Sequence, residues 1–189
     1  MSFLEAHPLS KFPEHSEIVG SILLAYGEIE ANLLGHVKLA VGDLDTALRL
    51  LYRVRSEAHR LDIADAVLRP FYSAIGLRNT YAQWFGAMKW CKKARNQYAH
   101  CLWDPRPRTD PAFANLELSA SSAEGATMMK FHAVTLKLLK EQQKFFGYTE
   151  ELMWHLQQEG TFRKDRRRTR RRTPKPKALP LPPLDSLEG

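Results

Sequence analysis

Three polar side chains of different chemistry lie close together near the end of a long helical pattern. Arg95, Asn96 and His100 lie among apolar residues that recur at helical spacing: Tyr81, Trp84, Met88, Cys91, Tyr98 and Leu102. Arg95 falls on the apolar stripe itself, where its guanidinium needs several hydrogen-bond partners because unpaired burial is costly. Asn96, His100 and Trp103 form a second stripe one face over. The pattern predicts that a permanent cation, an amide and a titratable imidazole gather at one end of a helix.

The helix that must position these side chains is predicted to begin near Thr80 and to end at about Leu102. Asp104 and Pro105 supply the stop, because the residue before a proline is biased away from helical geometry. Tyr98 and Trp103 are expected to pack in the core, the alternative being that they stack on nucleic-acid bases.

The motif Arg-Asn-x-x-Ala-His, followed by an aromatic residue, resembles the Arg-x4-His signature of HEPN domains, which are small helical bundles. Its context fits that family: the motif lies near the end of a long helix, and a further helix follows it. The resemblance covers residues 14–158 in architecture.

The catalytic members of this family are metal-independent endoribonucleases that act as dimers, so the resemblance implies a role for each motif residue. His100 would act as general base or acid when a ribose 2′-OH attacks the adjacent phosphate. Arg95 would stabilise the charge that builds on the phosphoryl oxygens, and Asn96 could orient the His100 ring. The products would be a 2′,3′-cyclic phosphate and a 5′-hydroxyl, with no cofactor and no metal.

The geometry of a helix independently favours two chains. Five residues rotate the side chains by about 140° around a helix axis, so Arg95 and His100 of one chain converge poorly. Two motif helices meeting about a two-fold axis would place both pairs around one groove, which predicts a homodimer. Lys92 and Lys93 either contact backbone phosphates in that groove or form a solvated face.

The basic charge of the chain is concentrated in its last segment. Residues 1–160 carry 18 basic and 18 acidic side chains, whereas residues 161–189 carry 10 basic and 3 acidic ones, which accounts for the net charge of +7. We expect this Arg/Pro-rich tail to be disordered, and either to contact nucleic-acid phosphates, an acidic protein or an anionic membrane surface or to act only as a solubilising extension. Its candidate contacts are Arg166, Arg167, Arg168, Arg170, Arg171 and Arg172.

The periodicity predicts an all-α fold of four to five helices, with a flexible leader (1–12), a helical domain (13–160) and the tail (161–189). Predicted helices cover residues 13–40, 43–54 (capped by Asp43), from Ser56 to a break or kink at Pro70, and 133–158, where Gly160 opens the tail. Residues 116–118 and 127–131 are expected to pair as a short hairpin within a loop insertion. Small residues on one side of the first helix predict a close neighbour, either another helix of the bundle or a dimer partner: Gly20, Gly27, Ala31 and Gly35.

Several classes of protein are disfavoured. No phosphate loop, dinucleotide fingerprint, His-Glu-x-x-His motif or nucleophile elbow occurs in the sequence. Cys91 and Cys101 are placed on one helix, about 15 Å apart and too far to bridge, which favours a reduced cytoplasmic setting. No run of about 18 apolar residues predicts a transmembrane segment. The remaining histidines are interpreted as surface or hydrogen-bonded core residues.

Three functions remain open. The first is a ribonuclease, as a toxin or defence effector with an antitoxin partner. The second is a non-catalytic interaction module, in which Arg95 ties helices together by pairing with Glu28 or Glu30 and His100 caps a helix C-terminus. The third is an accessory protein that binds nucleic acid through its tail.

Overall fold

The computed structural model describes residues 7–104, 106, 108–115, 131–165 and 174–184. In chain order, its elements are a 3-10 turn (Pro8–Lys11), α1 (Pro13–Val41), α2 (Leu44–Tyr52), α3 (Glu57–Ala74), α4 (Arg78–Ala99), β1 (Cys101–Trp103), β2 (Ala112–Asn115), β3 (His132–Ala133) and α5 (Leu136–Lys164). The predicted all-α bundle of four to five helices is therefore confirmed.

Local capping sets the short helices where the sequence predicts them. The Asp43 carboxylate accepts a hydrogen bond from the Thr46 amide at 2.7 Å, and the Ser56 hydroxyl oxygen accepts one from the His59 amide at 3.4 Å. Gly42, between α1 and α2, has φ of +86°, a left-handed conformation that favours glycine.

Two helices extend beyond residues that were predicted to interrupt them. Helix α3 continues through Pro70 to Ala74, which excludes the break but not the kink predicted at this proline. Helix α5 continues past Gln158 to Lys164, and Gly160 lies inside it rather than opening the tail. The extension has a physical cause: Arg163 donates hydrogen bonds to the carbonyls of Ile75 and Gly76, and Lys164 donates one to the Leu39 carbonyl. These basic side chains satisfy carbonyl groups at the ends of α1 and α3.

The insertion after α4 contains a three-stranded antiparallel sheet in the order β1-β2-β3. The hairpin predicted for residues 116–118 and 127–131 lies outside the described residues, apart from Phe131. Cys101–Trp103 was predicted as the end of the motif helix, but it pairs with β2, with Leu102 opposite Ala114 and Trp103 opposite Phe113. The ladder satisfies backbone groups that a continued helix would otherwise pair internally.

The chain divides into two compact units. Unit 1 comprises Met1–Tyr26, Trp90–Phe146 and Pro180–Gly189, and therefore contains the end of α4, the sheet and the start of α5. Its core joins helical and strand residues: the Tyr98 ring lies 6.3 Å from Trp103 and 5.8 Å from Phe113 between centroids. Tyr98 and Trp103 are buried, as predicted for packing residues.

Unit 2 comprises Gly27–Lys89 and Gly147–Leu179. Its core is rich in aromatic rings: the Tyr72 ring stacks on Tyr81 at 5.3 Å, and the His36 ring stacks on Trp84 at 4.5 Å. Gly160 of α5 makes this packing close, because an added Cβ would lie 3.0 Å from atoms of both Leu39 and Tyr72.

The small residues of α1 have different surroundings. A Cβ added at Gly35 would lie 2.9 Å from the Gln157 side chain of α5, so its close neighbour is a helix of the same chain. At Gly20 and Gly27 an added Cβ would meet nothing within 4 Å. By length and composition alone, α1 is the helix among the described residues that could cross a bilayer, although a core helix meets the same criteria.

Candidate functional site

Arg95 lies in the last part of α4, half-buried at the edge of the unit 1 core. Its guanidinium carbon is 4.8 Å from the centre of the buried Tyr26 ring, a cation–π contact. Its Nη1 donates a hydrogen bond to the Asn96 side-chain oxygen at 2.8 Å. The helix and these two neighbours therefore fix the direction of the cation.

The structure pairs Asn96 with Arg95, whereas the sequence suggested that Asn96 could orient His100. The backbone carbonyl of Asn96 accepts a hydrogen bond from the His100 amide at 3.1 Å. His100 directly follows Ala99, the last residue of α4, and is exposed. Trp103 does not share a helical face with these residues, because it belongs to β1.

The lysines of the motif differ in exposure: Lys92 is half-buried and Lys93 is exposed. Glu30, considered as a partner for Arg95, forms an ion pair with Arg60. The six arginines proposed to contact nucleic acid, Arg166, Arg167, Arg168, Arg170, Arg171 and Arg172, lie outside the described residues.

Asp104 binds two arginines after β1, a role that the sequence did not predict. Its carboxylate is buried and accepts hydrogen bonds from the Nε atoms of Arg106 and Arg108, both at 2.8 Å. The Arg106 guanidinium holds the pKa of this carboxyl well below its usual range. The available signal was the alternation of arginine and proline after Asp104, which an interpretation as a helix stop ignored.

A second polar cluster, which the sequence also did not predict, includes Gln97 and Tyr98 in the last turn of α4. The Tyr98 hydroxyl donates to the Gln142 side-chain oxygen at 2.6 Å. Gln142 and Gln97 are buried, and both donate to backbone carbonyls near the C-terminus. From the sequence alone a glutamine is expected to be solvent-exposed, so its burial cannot be predicted until its hydrogen-bond partners are known.

His36 is a buried titratable group in unit 2. Its Nδ1 is 2.6 Å from the Tyr72 hydroxyl oxygen. Within the part of the chain that the structure describes, neither its Nε2 nor the Trp84 Nε1 has a hydrogen-bond partner. Burial lowers the pKa of His36 to about 3 and raises that of Tyr72. His36 therefore stays neutral in the folded chain.

The cysteines are free thiols in different elements, since Cys91 is buried in α4 and Cys101 lies in β1 rather than on the helix. Burial raises the pKa of Cys101 to about 12, which removes its thiolate at neutral pH. Among residues 7–104, 106, 108–115, 131–165 and 174–184, no group of three or more His, Cys, Asp or Glu side chains is arranged to hold a metal ion.

No family model, curated protein or solved structure matches the chain.

Proposed function

We propose that the chain is a metal-independent endoribonuclease of the HEPN type that acts as a homodimer. One observation carries the proposal: at the end of α4 the guanidinium of Arg95 is held by the Tyr26 ring and by Asn96, and an exposed His100 follows at the end of the helix. A cation with a fixed direction and an accessible imidazole are the two groups that RNA transesterification needs from a protein.

The reaction follows from these two groups. The imidazole of His100 takes the proton of a ribose 2′-OH, and the 2′-oxygen then forms a bond to the adjacent phosphorus. The bond from phosphorus to the 5′-oxygen breaks, and the imidazolium formed on His100 returns its proton to that leaving oxygen. Arg95 donates hydrogen bonds to the non-bridging oxygens, where charge develops. The products are a 2′,3′-cyclic phosphate and a 5′-hydroxyl.

The positions of Arg95 and His100 support a site built from two chains. Arg95 lies at the edge of the core while His100 is exposed, in keeping with their separation of about 140° around the helix. In the proposed dimer, the Arg95 of one protomer and the His100 of its partner face the same phosphate. Asn96 contributes by holding Arg95 and is therefore a positioning residue.

The test is cleavage of single-stranded RNA by the pure full-length protein in EDTA. We expect Arg95→Ala and His100→Ala to lower the cleavage rate by about 10²–10³-fold each. Matched controls are Arg78→Ala, an exposed arginine on the same helix, and His59→Ala, an exposed histidine on α3; both should keep full activity. The new 5′ ends should accept phosphate from a polynucleotide kinase, because they carry a free hydroxyl.

Mixing the two inactive variants tests the two-chain site. A heterodimer of Arg95→Ala with His100→Ala protomers contains one intact composite site out of two. Each heterodimer should therefore have about half the cleavage activity of a wild-type dimer. RNA cleavage at the wild-type rate by both single variants would refute the assignment. Binding of RNA without cleavage would favour an accessory protein acting through its tail, and neither activity would favour an interaction module.

A further inference from the structure

Residues 174–183 have a burial pattern with a period of three, which Leu184, itself half-buried, does not continue. In residues 174–183, the half-buried positions are Pro176, Leu179 and Pro182, and the positions between them are exposed. A polyproline II helix has three residues per turn, so one side of it contacts its support at this period. Five of these ten residues are prolines, which favour this conformation: Pro174, Pro176, Pro180, Pro182 and Pro183.

The last part of this segment, residues 180–184, belongs to unit 1, and we call it the strap. Its backbone is held by two glutamines. The Gln142 Nε2 donates to the carbonyl oxygens of Pro183 at 2.8 Å and Leu184 at 3.1 Å, and the Gln97 Nε2 donates to the Leu184 carbonyl at 2.7 Å. Proline has no amide N–H, so its carbonyl is its only backbone hydrogen-bonding group, and a side-chain amide donor complements it.

The orientation of Gln142 is fixed by its own support. Tyr98 donates its hydroxyl to the Gln142 side-chain oxygen, and the Tyr98 ring is in turn packed against Trp103 and Phe113. With the oxygen engaged by Tyr98, the amide nitrogen must face the strap. With the strap in place Gln142 is fully buried, and both its side-chain oxygen and its amide nitrogen are hydrogen-bonded.

We propose that Gln97, Tyr98 and Gln142 form a recognition site for the backbone of an extended proline-rich peptide, and that the strap is its intramolecular ligand. The site selects carbonyls presented by a polyproline II conformation, which loses little entropy on binding. The consequence concerns the arginine run, residues 166–172, which lies between the end of α5 at Lys164 and the strap. The described chain is held on both sides of this run, by the hydrogen bonds of Arg163 and Lys164 at the end of α5 and by those of the strap. This inference is independent of the nuclease proposal.

A nitroxide on the full-length protein measures the anchoring directly. Leu181 is 64% exposed, so a label on Leu181→Cys leaves the contacts in place, and the identically treated wild type gives the background from the native thiols. We expect a restricted spectrum. Gln142→Met, which keeps the side-chain length but removes the donors, should lower the ratio of restricted to mobile label about tenfold or more. Gln97→Met should lower it less.

The matched control is Gln143→Met, on the neighbouring residue of α5, whose exposed amide contacts Ser21 instead. It should leave the spectrum unchanged. Circular dichroism checks that each variant is folded. If Gln142→Met does not fold, Gln97→Met still tests the anchoring. A mobile label in the wild type, or an unchanged spectrum in both glutamine variants, overturns the proposal. A restricted component that grows with protein concentration would overturn the intramolecular assignment, because it would mean exchange of straps between copies.

Peptide binding tests recognition itself. A fluorescent peptide of residues 178–189 should bind saturably to full-length protein in which residues 180–184 are replaced by Gly and Ser. It should bind at least about tenfold more weakly to the wild type, whose own strap competes at high effective concentration. A peptide of scrambled sequence is the control. Equal binding of the native and scrambled peptides would overturn the site. Binding that persists when Gln142→Met is added to the protein with the replaced strap would also overturn it.

Discussion

The buried His36 makes the stability of the chain depend on pH. In the folded chain its ring stacks on Trp84 and bonds the Tyr72 hydroxyl, and burial lowers its pKa from 6.5 to about 3. In the unfolded chain the imidazole takes up a proton as the pH falls through about 6.5. Because the folded pKa is the lower one, the stabilisation is complete above the unfolded pKa and is lost as the pH falls toward 3.

The size of this effect follows from the difference in bound protons. Between about pH 7.5 and pH 5, the unfolded state gains nearly one proton at His36 and the folded state gains almost none, which lowers the free energy of unfolding by about 2 kcal/mol. The slope approaches about 1.4 kcal/mol per pH unit near pH 5.

The assay is urea unfolding followed by circular dichroism at a series of pH values, for the wild type and for His36→Gln. The variant should be less stable at neutral pH, because its side chain replaces the stacked ring, but its stability should fall by about 2 kcal/mol less on acidification. His59→Gln, at an exposed position of α3, should keep the wild-type pH dependence. Parallel pH profiles of the wild type and His36→Gln would refute the reasoning.

The other predictions use matched sites. Gly147→Ala on α5, where an added Cβ meets nothing within 4 Å, should raise stability by about 0.5–1 kcal/mol, whereas Gly160→Ala, whose Cβ would lie 3.0 Å from Tyr72, should cost about 1–3 kcal/mol; equal melting temperatures would contradict the packing argument. Cys101, with a pKa of about 12, should react with iodoacetamide at pH 8 about 10³-fold more slowly than after unfolding in urea; equal rates before and after would contradict its burial. Changing the six arginines of the run at 166–172 to glutamine in the full chain should flatten the salt dependence of RNA binding by up to about four units of log–log slope, and an unchanged slope would remove the run from the interface.

The sequence located helices well where local signals decide them. Asp43 and Ser56 cap the predicted helices because a short polar side chain satisfies amides within its own turn. The end of α4 was missed because Tyr98 and Leu102 keep helical spacing, while the pairing of Leu102 with Ala114 of β2 depends on a strand ten residues further on. Likewise, Arg163 and Lys164 resemble the start of a basic tail until the carbonyls that they bind are known.

By itself, the sequence determined the helical class, the positions of most helices, the neutral body with its basic tail, and the motif of Arg95, Asn96 and His100. Each of these follows from periodicity, composition or short-range spacing. Only the tertiary structure decided that Asn96 binds Arg95, that Gln142 holds the strap, and that His36 is buried against Trp84. The hydrogen bonds of Gln142 and the packing of His36 join residues more than forty positions apart, and Asn96 faces Arg95 only through side-chain rotamers. Local spacing in the sequence does not predict these contacts, because they depend on which surfaces and side-chain rotamers the folded chain brings together.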